Sequence, residues 1–158
     1  MDSIQRLYLE KAENELTLSE MLFRISMSEE LKSVLKSNKN QTFFSAVISH
    51  SYYCIFYCSK AYLLSKNINP KSPAVHSKVY QEFKKFVESG TLDRELLRIY
   101  DDARIKAESL LNILFKESEK RSQFTYEKLP QANQKPALNS LKNSQKFFKT
   151  IYNILRLH

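Results

Sequence analysis

HSYYCIFYCSKAYLLSK, residues 50–66, holds five aromatic side chains, two cysteines and a histidine in one short run. His50, Cys54 and Cys58 are four residues apart, which lines them along one stripe of a helix. The stretch is therefore either a reactive, metal-binding stripe or the inside of a helical protein. Consecutive members stand one turn apart, about 5.4 Å, whereas zinc–ligand bonds are about 2.0–2.3 Å. One pair could chelate, but three ligands from one helix could not converge easily. Neither a CxxC pair nor an HExxH motif supports a metal. Apolar residues surround the helix on nearly every side between Tyr52 and Tyr57, the pattern of a helix buried in a bundle. Core packing is the favoured reading, with Cys54 and Cys58 as small buried residues where a neighbouring helix comes close.

The rest of the chain agrees with a helical bundle. One glycine, Gly90, and four prolines in 158 residues leave too little turn chemistry for the hairpins of a sheet protein. Working outward from the central stretch, a long helix is expected over 42–66. It is preceded by one over 3–26 whose dry face is Ile4, Leu7, Tyr8, Ala12, Leu18, Leu22, Phe23 and Ile25. Ser26 and Glu29 stand at capping-box spacing and suggest a short helical piece before a polar loop at 37–41. After Asn67–Pro70, Ser72 is expected to cap a helix with Pro73 at its first position. Its stripe is Val75, Val79, Phe83, Phe86 and Val87, and Gly90 ends it. Asp93 caps a fourth helix with Leu96, Ile99, Ala103, Ala107, Leu110 and Leu114 inward, while Arg98–Asp102 and Asp102–Lys106 can pair at four-residue spacing. Residues 119–135 lose periodicity and read as an ordered connection. Pro136 begins a last helix with Leu138, Leu141, Phe148, Ile151 and Leu155 inward, and 156–158 read as a flexible tail. The expectation is a single all-α domain over 1–158, an up-and-down bundle of four to five helices.

Composition narrows the function. A P-loop and a dinucleotide fingerprint each need several glycines, so both are excluded. Cysteines four apart on a helix have Cβ atoms about 5–6 Å apart, beyond the roughly 3.5–4.5 Å of a disulfide. Two free thiols point to a cytoplasmic setting. MDSIQRLYLEKAENE has no signal-type apolar core, and the apolar stretch 43–64 is interrupted too often to span a membrane. No cofactor and no metal are expected. His76 lies in line with Tyr80, Phe83 and Val87 and reads as a satisfied histidine at the core edge, and Asp101 and Asp102 as surface charges.

Charge is uneven. The net charge is +8, but from residue 116 onward nine positives face three negatives, a net +6, and no acid follows Glu127. Such a skew favours polyanionic partners, although a solvated lysine-rich face reads the same. The most suggestive segment is KRSQFTYEK, 120–128. Arg121 closes a helix, Phe124 and Tyr126 follow, and Lys120 and Lys128 flank them. An arginine for phosphate and aromatic rings for bases are parts of a single-strand RNA site. Equally, Arg121 could pair with an acid and Tyr126 could plug the bundle end.

The order of these features resembles the HEPN domains (higher eukaryotes and prokaryotes nucleotide-binding). SYYCIFYCSKAYLLSKNINPKS, 51–72, resembles that family's tyrosine-pair helix and Pro-Lys turn, and FKKFVESGTLDRELLRIYDDA, 83–103, its next stretch. Arg121 and Tyr126 fall where one branch has an Arg, four residues and the Tyr of an Asp-Tyr pair, with Thr125 here in place of the Asp. The resemblance implies a HEPN-like bundle forming a two-fold dimer, often beside a minimal nucleotidyltransferase in a toxin–antitoxin pair. Ribonuclease members carry Arg, four to six residues, then His, and none of the seven arginines here has a His at that distance. Tyr126 occupies the position of that His, yet a phenol of pKa about 10 is a poor base at neutral pH. The resemblance therefore implies a non-catalytic homodimer that engages RNA or a nucleotide through a basic surface at Arg121, Tyr126, Phe124, Lys120 and Lys128, or a nucleotidyltransferase partner. The alternative is a metal-independent ribonuclease toxin using Arg121 and Tyr126.

Overall fold

A computed structural model describes residues 1–111 and 134–157. Among them are six helices and no strand: α1 (Ser3–Met27), α2 (Glu29–Val34), α3 (Phe44–Ser65), α4 (Val75–Glu88), α5 (Arg94–Leu111) and α6 (Gln134–Arg156). The protein is all-α, as its shortage of turn residues requires. None of these helices is long and apolar enough to cross a membrane.

The helix predicted to be central is central. α3 packs against α1, α4, α5 and α6, and α1–α6, α6–α5 and α5–α4 are in turn neighbours. The ring around α3 is thereby closed on three sides. Small side chains make the close approach possible: Ala12 and Ser19 of α1 are fully buried, as are Cys54, Cys58, Ser59 and Ala61 of α3. The Ser19 hydroxyl donates to the Val47 carbonyl at 2.8 Å and shares a 2.9 Å hydrogen bond with Ser51. That links the two backbones through side chains too short to hold them apart. Larger side chains fill the other seams, with Tyr62, Phe83, Tyr100 and Phe147 all inaccessible and in edge or tilted ring contacts.

Several predicted details are corrected. α2 is capped by Ser28, whose hydroxyl accepts from Leu31 N at 3.1 Å. Ser26 instead donates to Leu22 O and accepts from Phe43 N at 2.8 Å, tying the end of α1 to the start of α3. α4 starts at Val75 behind Ala74, which is left-handed at φ 56° and gives no side-chain cap; the turn is held by the Lys78 ammonium on the Lys71 carbonyl at 3.0 Å. Arg98 turns back to Glu95 in two 2.7 Å hydrogen bonds, leaving Asp102 to Lys106 at 3.0 Å. In α6, Phe147 is the deep phenylalanine, and Phe148 is half-buried. The α1 stripe divides: Leu9, Ala12, Leu16 and Ser19 face the core, while Ile4, Leu7 and Leu18 face outward. Other expectations hold, including the Asp93 side chain accepting from Glu95 N at 2.7 Å and Gly90 at φ 79° just past α4.

The closeness of the α1–α3 seam is testable. Cys54→Leu inserts extra carbon where there is no room and should cost about 1–3 kcal/mol. Ser45→Leu, on the exposed side of the same helix, should change stability by less than about 0.5 kcal/mol. Chemical denaturation of the two variants makes the comparison.

Candidate nucleic-acid interface

α6 contains no aspartate or glutamate. Its apolar and small positions, Ala137, Leu141, Ser144, Phe147, Ile151 and Leu155, are all buried, and this fixes which way the rest of the helix points. Lys135, Lys142, Lys146, Lys149 and Arg156 recur at steps of seven, four, three and seven, so they share one helical face. All five are exposed. At 1.5 Å per residue they form a basic stripe roughly 30 Å long. Lys146 lies 3.5 Å from Glu95. The other four make no ion pair among the described residues. The hydrogen bond from Arg98 holds the Glu95 carboxyl down at about 2, with Lys146 contributing less. Glu95 is therefore an anion at neutral pH, but one committed chiefly to Arg98.

A second face has different chemistry. Where α1 and α4 leave α3 least covered, His50, Tyr53, Tyr57, Lys60 and Leu64 are half-buried. Tyr8 of α1 stacks on Tyr57 at 6.1 Å, Tyr57 on Tyr53 at 6.2 Å, and Tyr53 meets His76 of α4 edge-on at 6.1 Å. The result is a ribbon of rings from one flanking helix to the other. Lys60 donates to the Tyr8 hydroxyl at 3.0 Å and lies 4.5 Å from that ring's centre, and Lys11 sits 5.3 Å from it. His50 is tied to Glu15. Burial, followed by the charge of Glu15, pushes the Tyr57 hydroxyl above its ordinary range, so it stays neutral at pH 7.

Behind the ribbon, His76 shares a 2.7 Å hydrogen bond with Tyr52 and stacks on Phe56 at 4.2 Å. This is the satisfied core-edge histidine expected from its register. Tyr80 donates to Asp101, which the sequence placed on the surface and which is half-buried. The Arg104 guanidinium lies 3.4 Å over the Tyr80 ring, and Lys106 reaches Ser140 of α6 at 3.2 Å. Lys106 was read from the sequence only as an ion-pair partner of Asp102 and Arg104 was not singled out, because a charged residue on an otherwise amphipathic helix reads as solvent-facing. A cleft lined by Met1, Asp2, Gln5, Ser65, Lys66, Ile154 and Leu155 holds about 200 Å³, less than the roughly 300–1,000 Å³ of small-molecule sites.

Of the residues expected to form the site, Arg121, Tyr126, Phe124, Lys120 and Lys128 all lie outside the described residues, as does most of the predicted connection 119–135. Cys54 and Cys58 are fully buried free thiols. Burial first, and then the hydrogen bond with Cys58, raises the Cys54 pKa well above its ordinary value. A thiol held protonated in this way is neither a good zinc ligand nor a nucleophile.

Comparison with known proteins adds a family and a relative. The model described as "HEPN domain" matches residues 21–154. A protein of Methanocaldococcus jannaschii carrying the name "Putative toxin" is 38% identical over 96 residues, 60% of this chain and 52% of that protein. The chain thus spans about half the length of this curated relative. No solved structure matches.

His76 gives the region a pH signature. Burial, and next the charge of Lys60, lowers its pKa from 6.5. Between that lowered value and about 6.5 the unfolded chain takes up a proton that the folded chain refuses, so stability falls as pH drops through this window. Denaturation midpoints at several pH values from 7.5 down to 5 should show this fall in the wild type. His76→Gln, which does not titrate, should flatten that part of the profile.

Proposed function

We propose that this chain, which belongs to the HEPN domain family, is a non-catalytic binding protein that takes RNA or a nucleotide through a basic surface, acting as a homodimer in a toxin–antitoxin-type pair. The observation that carries this reading is the single-faced cationic stripe of α6, with five positives on about 30 Å and no acid on the helix. A spacing of a few ångströms to about 10 Å between charges suits a polymer of phosphates, and small clefts suit surface contact better than a buried substrate. A relative that bears a toxin name supports the toxin–antitoxin setting. The expected protein partner is a minimal nucleotidyltransferase. Free buried thiols fit a reducing, cytoplasmic compartment.

The ribonuclease alternative rests on Arg121 and Tyr126. The absence of the Arg-x4-6-His pattern and the high ordinary pKa of a phenol oppose it. If it held, Arg121 would stabilise charge on the scissile phosphate and Tyr126 would have to move the proton. The binding reading requires neither step.

Fluorescence anisotropy with a single-stranded RNA of about 20 nucleotides tests the reading. Affinity should fall steeply between about 50 and 200 mM salt. Lys142→Glu, Lys146→Glu and Lys149→Glu combined should weaken binding at least about tenfold and reduce the salt slope by about 2, since each lost phosphate contact contributes about 0.7 on a single strand. Unchanged affinity in the triple variant, or no binding at low salt, overturns the assignment to α6. RNA recovered shortened after incubation, but intact with Arg121→Ala, would favour the ribonuclease.

A further inference from the structure

Beside the cationic stripe of α6 stands a ring that the bundle does not use. Ala137, Leu141, Phe147, Ile151 and Leu155 carry the burial of this helix, whereas Tyr152 is 38% exposed. It stacks on the half-buried Phe148, with ring centres 5.8 Å and planes 22° apart, so it is braced on one side and open on the rest. Lys149 lies three residues before Tyr152 and Arg156 four after it, the spacings at which helix side chains are neighbours, with Cβ atoms about 5–6 Å apart. Both cations are exposed, and neither makes an ion pair among the described residues. A supported aromatic ring bracketed by two cations is thus built into the edge of the stripe.

Ring and cations suit different parts of one ligand. Lysine and arginine take phosphates, which every nucleic acid offers along its length, so cations alone do not separate paired from unpaired strands. A ring takes the flat face of a base. That face is available only where the base is unstacked and splayed out, because a duplex keeps its bases stacked on one another. Lys149 and Arg156 are seven residues apart, about 10.5 Å along the axis, with Tyr152 between them. Their long stems can close on the phosphates either side of one nucleotide whose base rests on the ring. Gln145, seven residues before Tyr152 and so on the same flank of α6, donates to Glu20 of α1 at 3.0 Å. That carboxylate repels phosphate, which keeps the strand's backbone on the lysine side and turns the base toward α1.

We infer that Tyr152 is the base-stacking residue of the α6 surface, with Lys149 and Arg156 on the flanking phosphates, and that it makes this surface select unpaired strands over duplex. The inference rests on the proposed assignment of nucleic acid to α6 and deepens it by naming the form of strand taken. Fluorescence anisotropy compares a single-stranded RNA of about 20 nucleotides with a duplex of the same length. The wild type should prefer the single strand. Tyr152→Ala should weaken that binding at least about fivefold, the lower end for one stacked base, and leave duplex binding as it was. Its salt slope should match the wild type, because a ring releases no counterions, whereas the lysine variants lower the slope. Tyr152→Phe keeps the ring and should bind as the wild type does. Undiminished single-strand binding by Tyr152→Ala, or equal losses on both ligands, overturns the stacking role while α6 stands. Wild-type affinity in the triple lysine variant overturns the α6 assignment itself, and the stacking role with it.

A second measurement needs no variant and so holds even if Tyr152→Ala misfolds. An abasic strand of the same length carries the same phosphates and no base to stack. The wild type should bind it at least about fivefold more weakly than the strand with bases, with the same salt slope. Equal affinity for the two strands overturns the inference.

Discussion

Everything in this bundle depends on how near α1 can come to α3. Ala12 and Ser19 of α1 and Ser51, Cys54 and Cys58 of α3 are small and buried, and the Ser19 hydroxyl reaches the Val47 carbonyl and the Ser51 hydroxyl across the seam. Residues of this size let two helices approach until side-chain hydroxyls bond backbone, and no larger residue could take their places without pushing the helices apart. Once α3 is gripped in this way its other sides are committed too. Tyr62 turns to Phe83, Tyr52 to His76, and Tyr100 and Phe83 to Phe147. The outward faces of α1 and α6 follow from these inward ones.

That dependence explains why much of the fold was legible in the sequence. The run from Tyr52 to Tyr57 is apolar on nearly all sides, and only a central position can absorb such a helix. Gly90 and Asp93 act through their own backbone geometry and side-chain reach, so local reading found them. Ser26 was misread because Ser26 and Ser28 compete and tertiary contact decides: Ser26 is drawn to the Phe43 amide, and Ser28 is left to cap. α1 was misread for a different reason. Both of its stripes run at three- and four-residue steps, and periodicity alone merges two faces that burial separates. Arg98 could reach Glu95 as well as Asp102, and spacing cannot choose between them.

The candidate site was less legible. The basic skew of the C-terminal third was visible as a count, but its concentration on one side of α6 needed the buried face of that helix to be known. The aromatic ribbon was hidden for the converse reason. A sequence full of tyrosines reads as core, and only the weak cover between α1 and α4 leaves Tyr53 and Tyr57 half-open. The segment singled out for its own composition, around Arg121 and Tyr126, lies outside the described residues. Among the described residues the functional reading therefore rests on a charged helix face, with the ring ribbon on the far side of α1 as a separate surface.

The surfaces differ in chemistry: α6 presents the cations that the proposed function assigns to phosphate, α1 turns Ile4, Leu7, Leu18 and Met21 outward, and the two cysteines lie fully buried inside. The central claim is that ligand contact follows the stripe of α6. Amide and lysine side-chain NMR shifts followed during titration with a short single-stranded RNA test it directly. The account predicts that the perturbed residues include Lys135, Lys142, Lys146, Lys149 and Arg156 and trace one side of the helix. Perturbations that leave α6 untouched, and cluster only around Tyr53 and Tyr57 or only around Arg121 and Tyr126, would contradict it.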